Sequence, residues 1–338
     1  MAAIIKSRKK QDQYVPLHEQ LPLKAPFSIL IDSTSVCNFK CFYCPMSTEK
    51  NSLISKRDNS HIDQEIFRKI VDQVGEFNQP IKVLELGMHG EPFANPDLAE
   101  NVRYAKSKGY FKKITVVTNG SLLSPKRALP VIEAGIDQID ISLNGTSSEQ
   151  FMEIAQTKVN FEKYVSNLKN LYENKGHCII TIKMMSESLT EKQKDFFFNT
   201  FSAITDQIFL EHLVPYWNDA IDHDDWPVGN KTMLDEEVHA NAEVCPFPFY
   251  KMRITSDAKV LLCSADWDHL RPIGDLRKQT VKEVWESDLL REIQLKFLNN
   301  KRSELEGCST CKNFRYTQLV HLDPHREQIL KNFQKNIS

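Results

Sequence analysis

Phe27-Ser-Ile-Leu-Ile-Asp32, followed after Ser33-Thr-Ser-Val36 by Cys37-Asn-Phe-Lys-Cys41-Phe-Tyr-Cys44, is the stretch that decides how this chain is read. The apolar run reads as a buried strand. The three cysteines open directly at its carboxyl end, where ligand sites of parallel α/β sheets collect. Five further runs of the same kind follow: Ile81–Leu86, Lys113–Thr118, Gln138–Leu143, Cys178–Met184 and Gln207–His212. Amphipathic stretches separate them, at Gln64–Phe77, Pro96–Lys108, Ser124–Ala134, Phe161–Asn174 and Glu191–Ile204. Strand and helix repeated six times predict a parallel sheet with right-handed crossovers. The sheet either curls into a partial (β/α)6 barrel or stays open and doubly wound; periodicity alone does not separate the two.

The 338 residues are 41% apolar and 26% charged, with a net charge of −2, as in a globular domain without a basic field for nucleic acid. No apolar run approaches the roughly 20 residues that span a bilayer. Met1 to Asp12 is basic but lacks the apolar core of a secretory signal, and reads as a disordered arm. A cytoplasmic location is expected, and there the eight cysteines read as metal ligands or free thiols rather than disulfides. The expected division is an arm at 1–26, a barrel at 27–213, a linker at 214–244, a small unit at 245–320 and a polar helical tail at 321–338. The linker carries Pro215, Pro227 and an acidic patch from Asp222 to Asp225. In the small unit, Lys251–Thr255 and Lys259–Cys263 flank the turn Ser256-Asp257-Ala258 as a hairpin. One helix is expected over Thr280–Leu298, with Val281, Val284, Trp285 and Leu289 on one face. So thin a core would benefit from a metal staple.

Cys37, Cys41 and Cys44 supply one ligand too few for a closed structural zinc site. Three short motifs follow at later strand ends: Gly87-Met-His-Gly90-Glu91-Pro92, Thr118-Asn119-Gly120 and Ser142-Leu-Asn144-Gly145. Glycine lets backbone approach a ligand closely, and a carboxylate accepts from an ammonium. Each motif alone is a turn. In this order, at the ends of strands one to four, they resemble the radical S-adenosylmethionine (SAM) superfamily. The resemblance covers roughly residues 27–212 and implies the partial (β/α)6, TIM-like barrel. It implies a [4Fe–4S] cluster on Cys37, Cys41 and Cys44, with one iron open to the amino and carboxylate groups of S-adenosyl-L-methionine. It also implies Tyr43 against the adenine, Gly90 and Glu91 at the methionyl amino group, and Asn119, Ser142 and Asn144 toward the ribose or carboxylate.

Cys245, Cys263, Cys308 and Cys311 form C-x17-C-x44-C-x2-C, enough to close a tetrahedral site, and structural zinc is one reading. The segment looks like the twitch half of a SPASM domain, a small β-hairpin/helix iron–sulfur unit. That likeness implies a second, auxiliary [4Fe–4S] cluster held by four cysteines, which accepts or relays an electron. The spacing resembles that of dehydrogenases acting on aminocyclitols, which implies oxidation of an alcohol to a ketone. The implied partners are a small molecule of sugar, cyclitol or nucleotide-sugar type and a flavodoxin- or ferredoxin-type electron donor, with no nucleic acid and no membrane. The 26 residues before the first strand are too few for a peptide-recognition domain. A redox-neutral epimerase or decarboxylase, a peptide-modifying enzyme and a non-catalytic iron–sulfur or zinc scaffold stand as alternatives.

Cys178 is the leftover thiol. It begins the fifth strand, away from the carboxyl ends, and reads as a core residue. Lys183, Glu187, Glu211 and His212, late in strands five and six, are candidate bases, as is His89 inside the glycine–glutamate motif. Arg253 and Asp266 either touch substrate or pair with each other. Tyr216 and Trp217 either stack on a sugar ring or pack between units.

Overall fold

The computed structural model describes residues 4–5, 15–44, 60–214, 231–232, 237–267, 269, 271–317 and 320–335. Ten strands form one sheet: β1 (Ile4–Ile5), β2 (Ser28–Ile31), β3 (Val83–Leu86), β4 (Ile114–Thr118), β5 (Gln138–Leu143), β6 (Ile179–Met185), β7 (Gln207–Glu211), β8 (Lys251–Ile254), β9 (Lys259–Leu261) and β10 (Pro272–Asp275). Their spatial order is β1-β7-β6-β5-β4-β3-β2-β8-β9-β10. Strands β2 to β7 are parallel neighbours in chain order. A doubly wound sheet reverses direction at a switch point and carries helices on both faces. Here the order never reverses, so every crossover passes the same side, as in a barrel wall. The wall stays open, because β7 is bordered by β1 and β2 by β8. The fold is a partial (β/α)6 barrel.

The register explains the two faces of the wall. Ile29, Ile31, Leu84, Leu86, Ile139, Ile141, Ile180 and Ile182 lie on one face, all fully buried. Burying each such side chain contributes about 1.5–3 kcal/mol. Their cover comes from α2 (Gln64–Val74), α3 (Leu98–Lys108), α4 (Pro125–Glu133), α6 (Phe161–Glu173) and α7 (Glu191–Phe201), with α1 (Leu17–Gln20) and α5 (Ser148–Ala155) shorter. Side-chain caps start several of them: Asp63 accepts from Glu65 N at 2.9 Å and Ile66 N at 3.0 Å, and Thr190 closes a capping box with Gln193. The opposite face lines the lumen and is polar. Thr115, Gln138, Asp140 and Thr181 are aligned there by register, and Gln138 Nε2 donates to Asp140 Oδ1 at 2.5 Å and Thr181 Oγ1 at 3.2 Å.

Several sequence expectations change. Ile4 and Ile5, placed in a disordered arm, pair in parallel with Gln207 and Ile208. Helix α5 was not foreseen; its eight residues follow the fourth strand too closely to show a period. The single helix expected over Thr280–Leu298 is two, α9 (Val281–Trp285) and α10 (Asp288–Leu298), after the short α8 (Phe247–Tyr250). Ser287 restarts the chain as an N-cap, accepting from Leu290 N at 3.2 Å. The restart rotates Leu289 out of the expected face, leaving it 47% exposed while Val281, Val284 and Trp285 are buried. The hairpin forms as expected and gains β10, antiparallel to β9. It also joins the barrel: β8 pairs in parallel with β2, from Ser28↔Lys251 to Ile31↔Ile254. Within the expected linker, Ala242 and Val244 are buried, and Glu243 N and Val244 N donate to Asp323 at 2.8 and 3.2 Å. After α11 (Asn313–Thr317), the expected tail is α12 (Arg326–Lys335), which buries Ile329 and Phe333. Pro215, Tyr216, Trp217, Asp222 to Asp225 and Pro227 lie outside the described residues.

Candidate active site

Four loops at the carboxyl ends of β2 to β5 meet above the lumen. The cysteine loop leaves β2 and is pinned on three sides. Phe39, between the first two cysteines, is buried and packs edge-on against Phe151 of α5 at 6.0 Å. Lys40 N and Phe42 N donate to Ala155 O at 3.0 Å and Ile154 O at 3.1 Å. On the other side, Asn119 Nδ2 donates to Asn38 Oδ1 at 3.0 Å, and Asn38 Nδ2 to Ser121 Oγ at 2.8 Å. The three thiols lie close enough to act on one another electrostatically. Cys41 is buried, Cys44 half-buried and Cys37 exposed. Burial pushes the Cys41 thiol up to about 12, and the neighbouring Cys44 and Cys37 add to the shift.

The glycine–glutamate loop after β3 crosses directly under the cysteine loop. Glu91 N donates to Val36 O at 2.7 Å. Gly90 has φ +80°, and a Cβ there would lie 2.4 Å from Thr34 O and 2.8 Å from Val36 O, so only glycine fits. The Glu91 carboxylate is buried. Its Oε1 accepts from Thr118 Oγ1 at 2.6 Å and Phe93 N at 3.0 Å, and Oε2 from Asn119 N at 2.7 Å. Burial raises its pKa, and these donors partly offset the rise. Glu91 therefore locks the ends of β3 and β4 together. Tyr43 bridges to the end of β5, its hydroxyl donating to Asn144 Oδ1 at 2.5 Å, while Asn144 Nδ2 donates to Ser142 O at 3.3 Å.

A buried polar cluster joins this site to the second cysteine set. Arg253 on β8 donates to Asp32 Oδ2 at 2.7 Å, to Ser264 O at 3.2 Å and to His89 Nδ1. An arginine N–H can only donate, so Nδ1 is the acceptor in this contact. His89 N donates to Asp32 Oδ1 at 3.1 Å, and Trp267 stacks on the His89 ring at 3.5 Å. His89 is thus committed to a buried cluster rather than facing the lumen. Arg253 and Asp266 do not pair with each other; Asp266 holds Arg271 instead, at 3.3 Å. Cys263, Cys308 and Cys311 are electrostatic neighbours of Cys245, and Cys308 and Cys311 also of Cys263. Burial, then the nearby cysteines, pushes Cys245 well up. Burial also pushes Cys263 to about 12 and Cys308 to about 11, with Arg271 acting in the opposite sense on both.

The remaining candidates sit at the ends of β6 and β7 as two pairs, one a lysine–glutamate ion pair and one a histidine–glutamate hydrogen bond. Lys183 Nζ lies 3.0 Å from Glu211 Oε1, and His212 Nδ1 2.8 Å from Glu187 Oε1. Glu187 Oε2 also accepts from Leu213 N at 2.9 Å. Cys178 is fully buried at the opposite end of the barrel. Sequence reasoning missed Asp32, Asn38 and Arg271. The available signals were a charge closing a buried strand and a polar residue between two cysteines; Arg271, eight residues after Cys263, carried none.

Comparison with known families decides what these loops belong to. The Radical SAM superfamily profile matches residues 31–193, and the SPASM profile, an iron–sulfur cluster-binding domain, matches 245–312. The chain carries a radical SAM domain followed by a SPASM domain. Among its relatives, an AdoMet-dependent heme synthase of Methanosarcina barkeri is 24% identical over 77% of this chain and 66% of its own. A probable GTP 3',8-cyclase of Saccharolobus islandicus is 34% identical over 41% of this chain and 42% of its own. This chain therefore spans less than two thirds of either relative. BtrN in complex with AdoMet and 2-DOIA has the same fold, with TM-score 0.53 and 18% identity over 88% of this chain and 96% of BtrN. So does Streptococcus suis SuiB bound to precursor peptide SuiA, with TM-score 0.62 and 14% identity over 91% of this chain and 74% of SuiB. Identities this low establish shared architecture alone.

A radical SAM enzyme takes a [4Fe–4S] cluster and SAM, and a SPASM domain takes auxiliary iron–sulfur. The residues fit both. The fold gathers three thiols in one loop and four in the second set, and a thiol gives up its proton when it binds iron. Among the described residues, no three His, Cys, Asp or Glu side chains converge on a single-ion site. Glu91 Oε2 accepts one bond where an oxygen offers two positions, which leaves an acceptor for an ammonium. No helix among the described residues is long and apolar enough to cross a membrane.

Proposed function

We propose that this protein oxidises a hydroxyl-bearing carbon of a sugar, cyclitol or nucleotide-linked sugar to a ketone. One observation carries the reading: a complete four-cysteine set stands beside the SAM loops, tied to them by Arg253, which bonds Ser264 O, Asp32 and His89 at once. A site with all four protein ligands has no opening for substrate, which suits an electron acceptor. A redox-neutral reaction needs none. The likeness to BtrN, solved with AdoMet and the small molecule 2-DOIA, supports the same direction.

Cys37, Cys41 and Cys44 would hold the cluster that with SAM would supply hydrogen-atom abstraction by a 5′-deoxyadenosyl radical, and Cys245, Cys263, Cys308 and Cys311 would hold an auxiliary [4Fe–4S] cluster as the electron acceptor. The alcohol loses a hydrogen atom from carbon, a proton from oxygen and one electron, and leaves as a ketone. We assign Tyr43, Gly90, Glu91, Asn119, Ser142 and Asn144 to SAM, with Glu91 Oε2 toward its ammonium. For the proton we favour His212. Glu187 Oε1 lies 2.8 Å from its Nδ1 and would hold the ring in one orientation while it takes the proton. Lys183 and Glu211 pair in the lumen and are placed to orient substrate hydroxyls.

The test is anaerobically reconstituted, reduced protein incubated with SAM and a panel of sugars and cyclitols. The expected product is two mass units lighter than its substrate and forms one-to-one with 5′-deoxyadenosine. A product of unchanged mass carrying solvent deuterium would mean epimerisation and would end the dehydrogenase reading. A Cys308→Ala variant is expected to keep cleaving SAM while ketone formation falls below about a tenth of the parent's, a barrier increase above ~1.4 kcal/mol. Ketone formed at the full rate would remove the electron-acceptor role.

A further inference from the structure

Arg271 stands just before β10 and is held in one orientation from several sides. Its backbone N donates to Asp266 Oδ2 at 3.0 Å, and its guanidinium lies 3.3 Å from Asp266 Oδ1. Nη1 donates to Glu306 O at 2.8 Å and to Cys308 Sγ at 2.8 Å. The group is 15% exposed and Asp266 1%, so these contacts act with little screening. Gly307, beside Cys308, makes the approach possible. It has φ +66°, and a Cβ there would sit 2.9 Å from Nη1 and 3.1 Å from Cζ of Arg271. Arg271 Nε is buried with no acceptor among the described residues. A buried donor left so costs about 1–3 kcal/mol. A sulfide of the auxiliary cluster would supply the acceptor.

A second arginine serves the same loop differently. Arg302 donates to Ser309 O at 3.2 Å, Cys311 O at 3.0 Å and also Cys308 O, with Glu243 Oε2 at 2.9 Å as its counter-ion. It holds the shape of the C-x2-C turn and touches no sulfur. Arg271 alone, among the arginines with described contacts, donates to a ligating thiol.

We propose that Arg271 sets the auxiliary cluster's reduction potential by hydrogen-bonding the Cys308 ligand, making this cluster the better electron acceptor. Reduction adds one negative charge to a centre already surrounded by four thiolates. A donor on a ligand sulfur stabilises that added charge more than it stabilises the oxidised state, so the potential rises. Asp266 is the positioning residue: it fixes both the backbone and the guanidinium of Arg271. The inference rests on the dehydrogenase reading only in supposing that an electron arrives from substrate; the tuning itself is independent of it.

The experiment uses the full chain with Cys37→Ala, Cys41→Ala and Cys44→Ala together, so that only the auxiliary cluster is loaded. Iron and sulfide content verify loading, and the reduced fraction is followed by EPR at controlled potential. Arg271→Gln is expected to lower the reduced-to-oxidised ratio about tenfold at a fixed potential, which is 59 mV for a one-electron couple. Arg271→Lys, which keeps the charge and loses the planar fork, is expected to fall between. Unchanged ratios in both, with iron content intact, would overturn the proposal. If Arg271→Gln loads no cluster, Arg271→Lys decides alone. A shifted potential in a protein that makes no ketone from any alcohol leaves the tuning in place and removes the dehydrogenase reading. Ketone formation with an unshifted potential does the reverse.

Discussion

A Cys37→Ala variant is expected to fold normally and to release no 5′-deoxyadenosine. The two halves of that result come from different parts of the same loop. Cys37 is exposed and contributes little packing, so its loss is expected to change stability by no more than about 0.5 kcal/mol. The loop's conformation is carried by Phe39 against Phe151, by the bonds from Lys40 N and Phe42 N to α5, and by Asn38 against Asn119 and Ser121. The thiol's own share is a long bond that it accepts from Phe39 N at 3.4 Å. Removing one of only three protein ligands, however, leaves the cluster on two. Losing a residue that merely supports a metal ligand typically costs about 10–100-fold in affinity or activity, so losing the ligand itself should exceed 100-fold. Chromatography of the nucleoside after reduction, alongside circular dichroism on heating, reads both halves. SAM cleavage at a rate near the parent's would show that Cys37 does not hold the cluster.

Asp32→Ala is expected to cost about 3–5 kcal/mol in stability, the usual penalty for orphaning a buried charge. Arg253 and Asp32 are 1% and 3% exposed, 2.7 Å apart, and sit on adjacent strands β8 and β2. Without the carboxylate, the guanidinium keeps only Ser264 O and His89 as partners. Replacing both members, as Asp32→Leu with Arg253→Met, should recover most of the loss, because two desolvated charges are then removed together. Urea unfolding compares the three proteins. A single variant within about 1 kcal/mol of the parent would show that the pair does not bear the junction. The same substitution frees His89 N from Asp32 Oδ1, so SAM affinity should weaken in Asp32→Ala even below its melting range.

The barrel was legible because its strands are short, apolar and separated by regular amphipathic stretches, and the observed strand bounds differ from expectation by at most two residues. The choice between barrel and doubly wound sheet was not legible, since it depends on which strands are neighbours. Ile4–Ile5 escaped because two residues carry no period, and β8 on β2 because no local pattern announces a partner more than two hundred residues away. The cysteines could be read from spacing. The pairings of Lys183 with Glu211 and Glu187 with His212 could not, since they require the register of β6 on β7, Met185 opposite Glu211. Asp32 and Arg271 escaped for a related reason: a single charge looks ordinary until its buried partner is known.

The pairing of β8 with β2 makes the iron–sulfur unit the rim of the barrel rather than an attachment. Phe27 N and Asp32 N reach Tyr250 O and Ile254 O at 2.8 and 2.9 Å, and the strand between them is zipped shut by the same neighbour. A polypeptide stopping at Leu213 would present Ser28–Ile31 as a bare apolar border, the kind of surface that recruits other chains into aggregates. The two halves are therefore obliged to be made, and to be lost, together.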